Sequence, residues 1–261
     1  MNTIGIELFF YVIFILSLGS YSAAFSVRWP AKCFNLWYRE AHELLSIPFI
    51  NSNEASMRTI RSKCNHCSHL LAWFDLFPII SFLVLKGKCR YCKHTISYRY
   101  PAIETLHLAL CLPLIWFSLD TPSLILQSIL ISALITAAII DLEHKLIPDE
   151  CCVVILICAL LIHLMSTTLE SSVLGMLVGY CFTYILRYIY VTFRKQEGIG
   201  LGDVKLISIL GAWLGISNLA PLLLCASSAG ILYTIAFNKN GSEQIAFGPF
   251  LIFSGMIVFY L

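Results

Sequence analysis

Long apolar runs alternate with short polar breaks along most of this chain. Eight runs come close to the roughly 20 residues needed to cross a bilayer, and they lie near residues 5–27, 102–118, 123–140, 152–168, 171–191, 204–216, 219–237 and 245–261. The run at 204–216 is the shortest and depends on its flanking residues. The pattern predicts an all-α polytopic membrane protein with about eight transmembrane helices. The first run lacks a basic segment before it, which favours a membrane span over a cleaved signal.

One long polar stretch, residues 28–101, separates the first apolar run from the other seven. We interpret it as a small domain of zinc-binding type between helices 1 and 2. The predicted organisation is a first transmembrane helix at 1–27, this domain at 28–101, and a transmembrane core at 102–261. No internal repeat is evident along the chain.

The basic residues test the order of the spans. Eleven of the 17 Lys and Arg residues fall within 28–101, and the others fall in or beside alternate loops after it. Basic residues concentrate in cytoplasmic loops, so 28–101 is predicted to be cytoplasmic. With eight spans, both termini then lie on the opposite, periplasmic side.

Composition agrees with a membrane protein. Hydrophobic residues make up 59% of the chain and charged residues 12%, whereas soluble domains carry about 25% charged residues. The formal net charge of +2 gives no indication of nucleic-acid binding. The expected surroundings are therefore a lipid bilayer, and the oligomeric state is left open.

Four of the eleven cysteines form two CxxC pairs, Cys64/Cys67 and Cys89/Cys92, with 21 residues between the pairs. Two such turns can close a tetrahedral zinc site, and four thiolates would make it structural. A free-thiol loop or a disulfide pair is the alternative, although a reducing cytoplasm disfavours disulfides. Three nearby histidines are expected beside the metal rather than bound to it: His66, His69 and His94.

Two aspartates are predicted to lie at one face of the membrane. Asp141 follows the apolar run of the third span, and Asp203 opens the sixth span. The eight-span topology puts both at the cytoplasmic end, and aspartates at membrane depth are usually functional. Two carboxylates that share one proton can activate a water and protonate a leaving amine, which is the chemistry of an aspartic protease. The plainer alternatives are a helix-capping Asp203 and an interfacial polar end at Asp141.

Glycines surround the second aspartate. Gly200 and Gly202 precede Asp203, and backbone without a Cβ would let a substrate strand approach closely. Two GxxxG pairs, Gly175/Gly179 and Gly211/Gly215, suit close helix packing.

Several ordered motifs together resemble the type IV prepilin leader peptidases, which are membrane aspartic proteases of the GxGD type. The similar segments are "RSKCNHCSHLLAW", "LKGKCRYCKHTISYRYPAIETL", "IDLEHKLIPD", "GIGLGDVKLISILGAWLG" and "FGPFLIFSG". The resemblance implies that Asp141 and Asp203 are the catalytic pair and that Cys64, Cys67, Cys89 and Cys92 are the family's cysteine tetrad.

The resemblance also implies a substrate and a location. The substrate is a type IV prepilin or pseudopilin, with a short basic leader before an apolar helix. The location is a bacterial inner membrane with the active site facing the cytoplasm. Many members also N-methylate their product, which implies S-adenosyl-L-methionine as a methyl donor.

Two other functions compete with this interpretation. One is a GxGD protease that lacks methyltransferase activity or cuts a different membrane substrate. The other is a proton-coupled transporter in which Asp141 and Asp203 relay protons. The transporter predicts aspartates near mid-membrane and gives the cysteine domain no role.

Overall fold

The computed structural model of the protein describes residues 3–46, 62–64, 66–117, 120–195, 198–237 and 245–261. Ten α-helices lie in these ranges: α1 Thr3–Leu44, α2 Ile80–Val84, α3 Arg99–Cys111, α4 Leu114–Phe117, α5 Thr121–His144, α6 Asp149–Met165, α7 Leu169–Arg194, α8 Leu201–Leu214, α9 Leu219–Ala236 and α10 Gly248–Tyr260. The only β-type pairing in the described ranges consists of two isolated bridges. The all-helical class predicted from the sequence is confirmed.

Helices lie in each of the eight predicted apolar runs, two of them, α3 and α4, in the run at 102–118, and they differ in length. Among the described residues, five helical segments are long and apolar enough to cross a membrane, and they comprise Gly5–Leu44, Arg99–Phe117, Thr121–His144, Leu169–Arg194 and Ile216–Ala236. The chain is therefore a multi-pass membrane protein. Helices α6, α8 and α10 have 17, 14 and 13 residues, fewer than the roughly 20 of a full span. Eight crossings thus remain a prediction.

The first helix does not end near residue 27, where the sequence places the end of the first span. It continues through Pro30 to Leu44, because the residues after Pro30 are mostly good helix formers such as Ala, Leu, Lys, Arg and Glu. The chain divides into two compact units, Met1–Pro113 and Leu114–Leu261. The division into a span, a cytoplasmic domain and a core follows predicted topology and stays a prediction.

In the first unit, α1 and α3 pack as an antiparallel pair. The Tyr11 hydroxyl donates to the Cys111 carbonyl at 2.8 Å, and Arg99 Nη2 donates to Ser26 Oγ at 3.0 Å. Between these contacts Gly19 meets Glu104, whose Cα would lie 3.0 Å from a Cβ at position 19. The small residues of "GSYSAAFS" therefore serve the close approach of these two helices.

In the second unit, α8 is the central helix. It packs against α6, α7 and α10, and nearly all of it is buried, from Val204 and Leu206 to Leu214. Its short apolar run is sufficient because protein, rather than lipid, surrounds it. The helix ends at Gly215, whose φ of 78° requires glycine.

The two GxxxG motifs meet each other across α7 and α8. A Cβ at Gly175 would collide with the Gly211 carbonyl oxygen, and a Cβ at Gly211 would collide with that of Gly175. Ser172 Oγ donates to the Ala212 carbonyl at 2.6 Å and Ser208 Oγ to the Met176 carbonyl at 2.9 Å. The predicted close packing at these glycines is confirmed, and it fixes α8 against α7.

Candidate functional site

Asp141 lies in the last turn of α5. The helix ends at Lys145, which adopts a left-handed conformation and donates its N–H to the Asp141 carbonyl at 2.8 Å. The Asp141 side chain is buried, and its Oδ2 atom has no hydrogen-bond partner among the described residues. A buried carboxylate oxygen without a partner is costly, which is typical of a group kept for chemistry rather than for stability.

Asp203 lies in the first turn of α8 and is half-buried. Gly200 is the N-cap residue, so Asp203 is the third residue of the helix rather than its cap. The Asp203 carboxylate lies against the backbone of Gly200, since a Cβ on Gly200 would be 3.4 Å from Asp203 Oδ2. This places an anionic group at the positive end of the helix dipole.

The structure brings the two aspartates together, although 62 positions separate them in sequence. They lie close enough for their charges to repel each other. Ile147, in the loop between α5 and α6, packs between their neighbours: its Cδ1 would lie 3.3 Å from a Cβ at Gly202 and 3.5 Å from a Cβ at Gly248. Two carboxylates whose charges interact in this way form an electrostatically coupled pair.

Gly248 is the residue that sequence reasoning missed. It is the first residue of α10, and it lies directly against Asp141, since a Cβ there would be 2.5 Å from Asp141 Oδ2. The "FGPF" motif contains the signal, a glycine beside a proline at a helix start, but only the fold reveals which side chain it faces.

Gly200 and Gly202 have different surroundings. Gly200 is exposed, and a Cβ on it would meet Asp203 Oδ2 at 3.4 Å, while Gly202 packs against Ile147. Neither glycine has a positive φ, so a sharp turn is not the reason for glycine here. The approach of a substrate strand to these two residues stays a prediction.

Asp149 lies outside this pair. It is the first residue of α6, after the N-cap Pro148, and its Oδ1 accepts a hydrogen bond from Lys205 Nζ at 2.8 Å. Both side chains are largely exposed, so this is a surface ion pair of small energetic weight.

The four cysteines of the first unit converge on one point. The Sγ atoms of Cys64, Cys67, Cys89 and Cys92 all lie within 4.8 Å of one another, and those of Cys64 and Cys92 are 3.8 Å apart. A tetrahedral zinc with Zn–S bonds of about 2.3 Å has sulfurs about 3.8 Å apart. The tetrad therefore fits a structural metal ion.

The two CxxC turns are built alike. In the first, the Cys64 N–H donates to the His69 carbonyl at 2.9 Å, and in the second, the Cys89 N–H donates to the His94 carbonyl at 2.8 Å. Each turn reads K-C-x-x-C-x-H, at residues 63–69 and 88–94. The expectation of no internal repeat is therefore wrong at this short scale.

Aromatic rings join the two turns reciprocally. His66 stacks on His94 with ring centroids 4.3 Å apart, and His69 contacts Tyr91 with ring centroids 3.6 Å apart and ring planes tilted by 37°. Exchanging the two turns exchanges the two ring contacts, so the turns are related by an approximate two-fold axis. The histidines lie beside the tetrad and outside its ligand set, as the sequence predicts.

Two thiols of the tetrad have shifted pKa values. The backbone N–H of Cys67, together with that of His66, lowers the pKa of the Cys64 thiol to about 6, although burial acts in the opposite direction. The pKa of the Cys92 thiol is raised to about 11: the His94 N–H lowers it, but burial and the other three thiols raise it. Because the thiolate is the metal-binding form of cysteine, the four thiols are not equally disposed to bind a cation.

Comparison with known proteins gives a consistent result over both units. Residues 13–118 match the family model described as Bacterial Peptidase A24 N-terminal domain, and residues 128–235 match the Type IV leader peptidase family. No solved structure matches.

Three curated relatives illustrate the similarity. A "Prepilin leader peptidase/N-methyltransferase" of Dichelobacter nodosus is 31% identical over 97% of this chain and 91% of its own length. A protein of the same name from Burkholderia pseudomallei (strain 1026b) is 30% identical over 96% of this chain and 84% of its own. A "Type 4 prepilin-like proteins leader peptide-processing enzyme" of Escherichia coli O78:H11 (strain H10407 / ETEC) is 36% identical over 82% of this chain and 80% of its own.

Proposed function

Because this chain belongs to the type IV leader peptidase family, we propose that it cleaves the basic leader from type IV pilin-like precursors at the cytoplasmic face of a bacterial inner membrane. It is an enzyme and a multi-pass membrane protein. The observation that carries the proposal is the convergence of Asp141 and Asp203. The names of the relatives support prepilins or pseudopilins as the substrate class.

The proposed chemistry uses the aspartates as one unit. The pair holds one proton between its two carboxyl groups. The ionised carboxylate takes a proton from a water, which attacks the scissile carbonyl, and the protonated partner then gives its proton to the leaving amine. Which side chain carries the proton is a property of the coupled pair rather than of either residue alone.

The positions of the two aspartates support cleavage at a membrane interface. Asp141 lies in the last turn of α5 and Asp203 in the first turn of α8. Ends of helices, rather than helix centres, are where a precursor with a cytoplasmic leader and a membrane-embedded helix presents its scissile bond. A proton carrier would need its relay groups near mid-membrane, so the helix-end positions favour the protease over that alternative.

We further propose a cytoplasmic domain at 28–101 whose tetrad, Cys64, Cys67, Cys89 and Cys92, holds one zinc ion. A zinc bound there would cross-link the two CxxC turns. It would be structural, because four thiolates leave no open coordination position. Its role is to stabilise this domain, which is too small to form a large hydrophobic core.

The second proposed activity is N-methylation of the amine that cleavage exposes, with S-adenosyl-L-methionine as donor. The support is the name of the relatives, which includes N-methyltransferase. The described residues do not identify a pocket for this donor, so the proposal assigns the activity to the chain and no residue to it. Proximity favours the pairing of the two reactions, since the product of the first is already bound.

One experiment tests both activities. The purified full chain in lipid nanodiscs is incubated with a prepilin and with labelled S-adenosyl-L-methionine, and mass spectrometry identifies the new N-terminus. We expect cleavage after the basic leader and label on the new N-terminal amine. Intact prepilin, with a family member as active control, contradicts the peptidase. Cleaved but unlabelled pilin contradicts only the methyl transfer.

A further inference from the structure

The loop before α8 connects α7 to Asp203. The carbonyl of Ile199 accepts a hydrogen bond from Arg187 Nε at 3.0 Å. The next residue, Gly200, lies against the Asp203 carboxylate, since a Cβ on Gly200 would be 3.4 Å from Asp203 Oδ2. Because a peptide unit is planar, a bond that fixes the Ile199 carbonyl also fixes the start of Gly200.

The Arg187 guanidinium is a strong donor for this role. It is always charged, and a charged donor forms a stronger hydrogen bond than a neutral one. Its bond to the Ile199 carbonyl therefore holds the loop that places Gly200 against the Asp203 carboxylate.

A second residue of α7 holds the same loop. Tyr190 lies three positions after Arg187, on the same side of the helix, and its ring lies against Gly198. A Cβ at position 198 would lie 2.5 Å from Tyr190 Cε1 and 2.7 Å from Cδ1. Gly198 has no positive φ, so contact with the ring, rather than the backbone conformation, favours glycine there.

We propose that Arg187 and Tyr190 are positioning residues that hold the Gly198–Gly200 loop and thereby orient the Asp203 carboxylate for catalysis. Arg187 acts through the Ile199–Gly200 peptide and Tyr190 through contact with Gly198. This inference rests on the proposed catalytic role of Asp203, and it assigns to α7 a part in the reaction that the sequence did not indicate.

The first test separates kcat from KM for prepilin cleavage by the purified full chain. Arg187→Gln should lower kcat about 10- to 100-fold, since a misplacement of about 1 Å can cost that much, and should leave KM nearly unchanged because Asp203 acts in bond breaking. Arg187→Lys keeps the charge and should restore part of the rate. Arg194→Gln removes the same charge near the exposed end of the same helix and should leave kcat unchanged.

Loss of rate only through KM, or an equal loss in Arg187→Gln and Arg194→Gln, would overturn the role of Arg187. Thermal unfolding in detergent is measured for each variant, and kcat is expressed per folded enzyme.

The second test changes each side of the contact between Tyr190 and Gly198. Gly198→Ala should lower kcat because the new methyl group collides with the Tyr190 ring and displaces the loop. Tyr190→Ala removes the ring that holds the loop and should also lower kcat. The double variant Gly198→Ala/Tyr190→Ala should be no slower than Tyr190→Ala, because both changes act on the same contact. Wild-type kcat in Gly198→Ala or in Tyr190→Ala, or fully additive losses in the double variant, would overturn the role of Tyr190.

Asp203→Asn in the same assay separates a failure of the proposed catalytic pair from a failure of the positioning role alone. If Asp203→Asn still cleaves, the catalytic pair itself is wrong. If it is inactive while Arg187→Gln and Gly198→Ala cleave normally, the pair stands and only the positioning role is lost.

Discussion

Gly248 leaves no room for a side chain beside Asp141. A Cβ at position 248 would lie 2.5 Å from Asp141 Oδ2 and 3.2 Å from its Cγ. The first residue of α10 thus defines one wall around a buried carboxylate in the last turn of α5. The glycine of the "FGPF" motif is therefore needed because a larger residue would collide with a proposed catalytic carboxylate.

Gly248→Ala should therefore inactivate the enzyme while leaving it folded. Either α10 or the Asp141 side chain must move, and a displacement of about 1 Å from productive geometry costs on the order of 10²-fold in rate. The measurement is kcat/KM for prepilin cleavage. Gly230→Ala is the matched control, because its Cβ would meet Phe247 at an ordinary 3.7 Å. A Gly248→Ala enzyme as active as wild type would contradict this account.

Asp141→Asn and Asp203→Asn should each abolish cleavage. Each change keeps the shape of the side chain and removes its capacity to gain or lose a proton, and general acid–base groups contribute roughly 10²–10⁴ in rate. Asp149→Asn, which disrupts only the surface pair with Lys205, should retain activity. Processed pilin is quantified by mass spectrometry of its N-terminus. The assignment fails if Asp149→Asn is inactive and either of the other variants cleaves normally.

The purified chain should carry about one zinc ion, because four sulfurs already lie within 4.8 Å of one another. Cys64→Ser should lower the metal content and the thermal stability of the first unit, whereas Cys33→Ser, outside the tetrad, should change neither. Proteolysis should persist in Cys64→Ser, since the aspartates lie in the second unit. The measurement is elemental analysis of reduced protein. Active, reduced enzyme without zinc would contradict the structural site.

Membrane topology is testable with reporter fusions. Fusions after Thr168 and Leu261 should report the periplasm, and fusions after Ser62 and Lys195 the cytoplasm, if each of the eight apolar helices crosses the bilayer. The reason is the concentration of basic residues in alternate loops. Residue 261 in the cytoplasm would mean that one helix does not cross. The 14-residue α8 is the first candidate, because protein surrounds it on most sides.

In the CxxC domain, the sequence pattern predicts the cysteine group but not the contacts around it. Cys64, Cys67, Cys89 and Cys92 could be grouped from spacing alone, because two residues between cysteines fit one tight turn. The ring contacts of His66 with His94 and of His69 with Tyr91 could not be predicted, because they depend on how two separate turns face each other. The repeat K-C-x-x-C-x-H is visible in the sequence, but its two-fold relation exists only in three dimensions.

The sequence by itself determined the helical class, because apolarity and run length are local properties that fix where helices form. It also placed Asp141 and Asp203 at the ends of two apolar runs. Tertiary structure alone decided that Gly175 meets Gly211, that Gly248 lies against Asp141, and that Arg187 donates to the Ile199 carbonyl. These contacts join residues that are distant in sequence, and they depend on steric fit between helices rather than on the preference of any one segment.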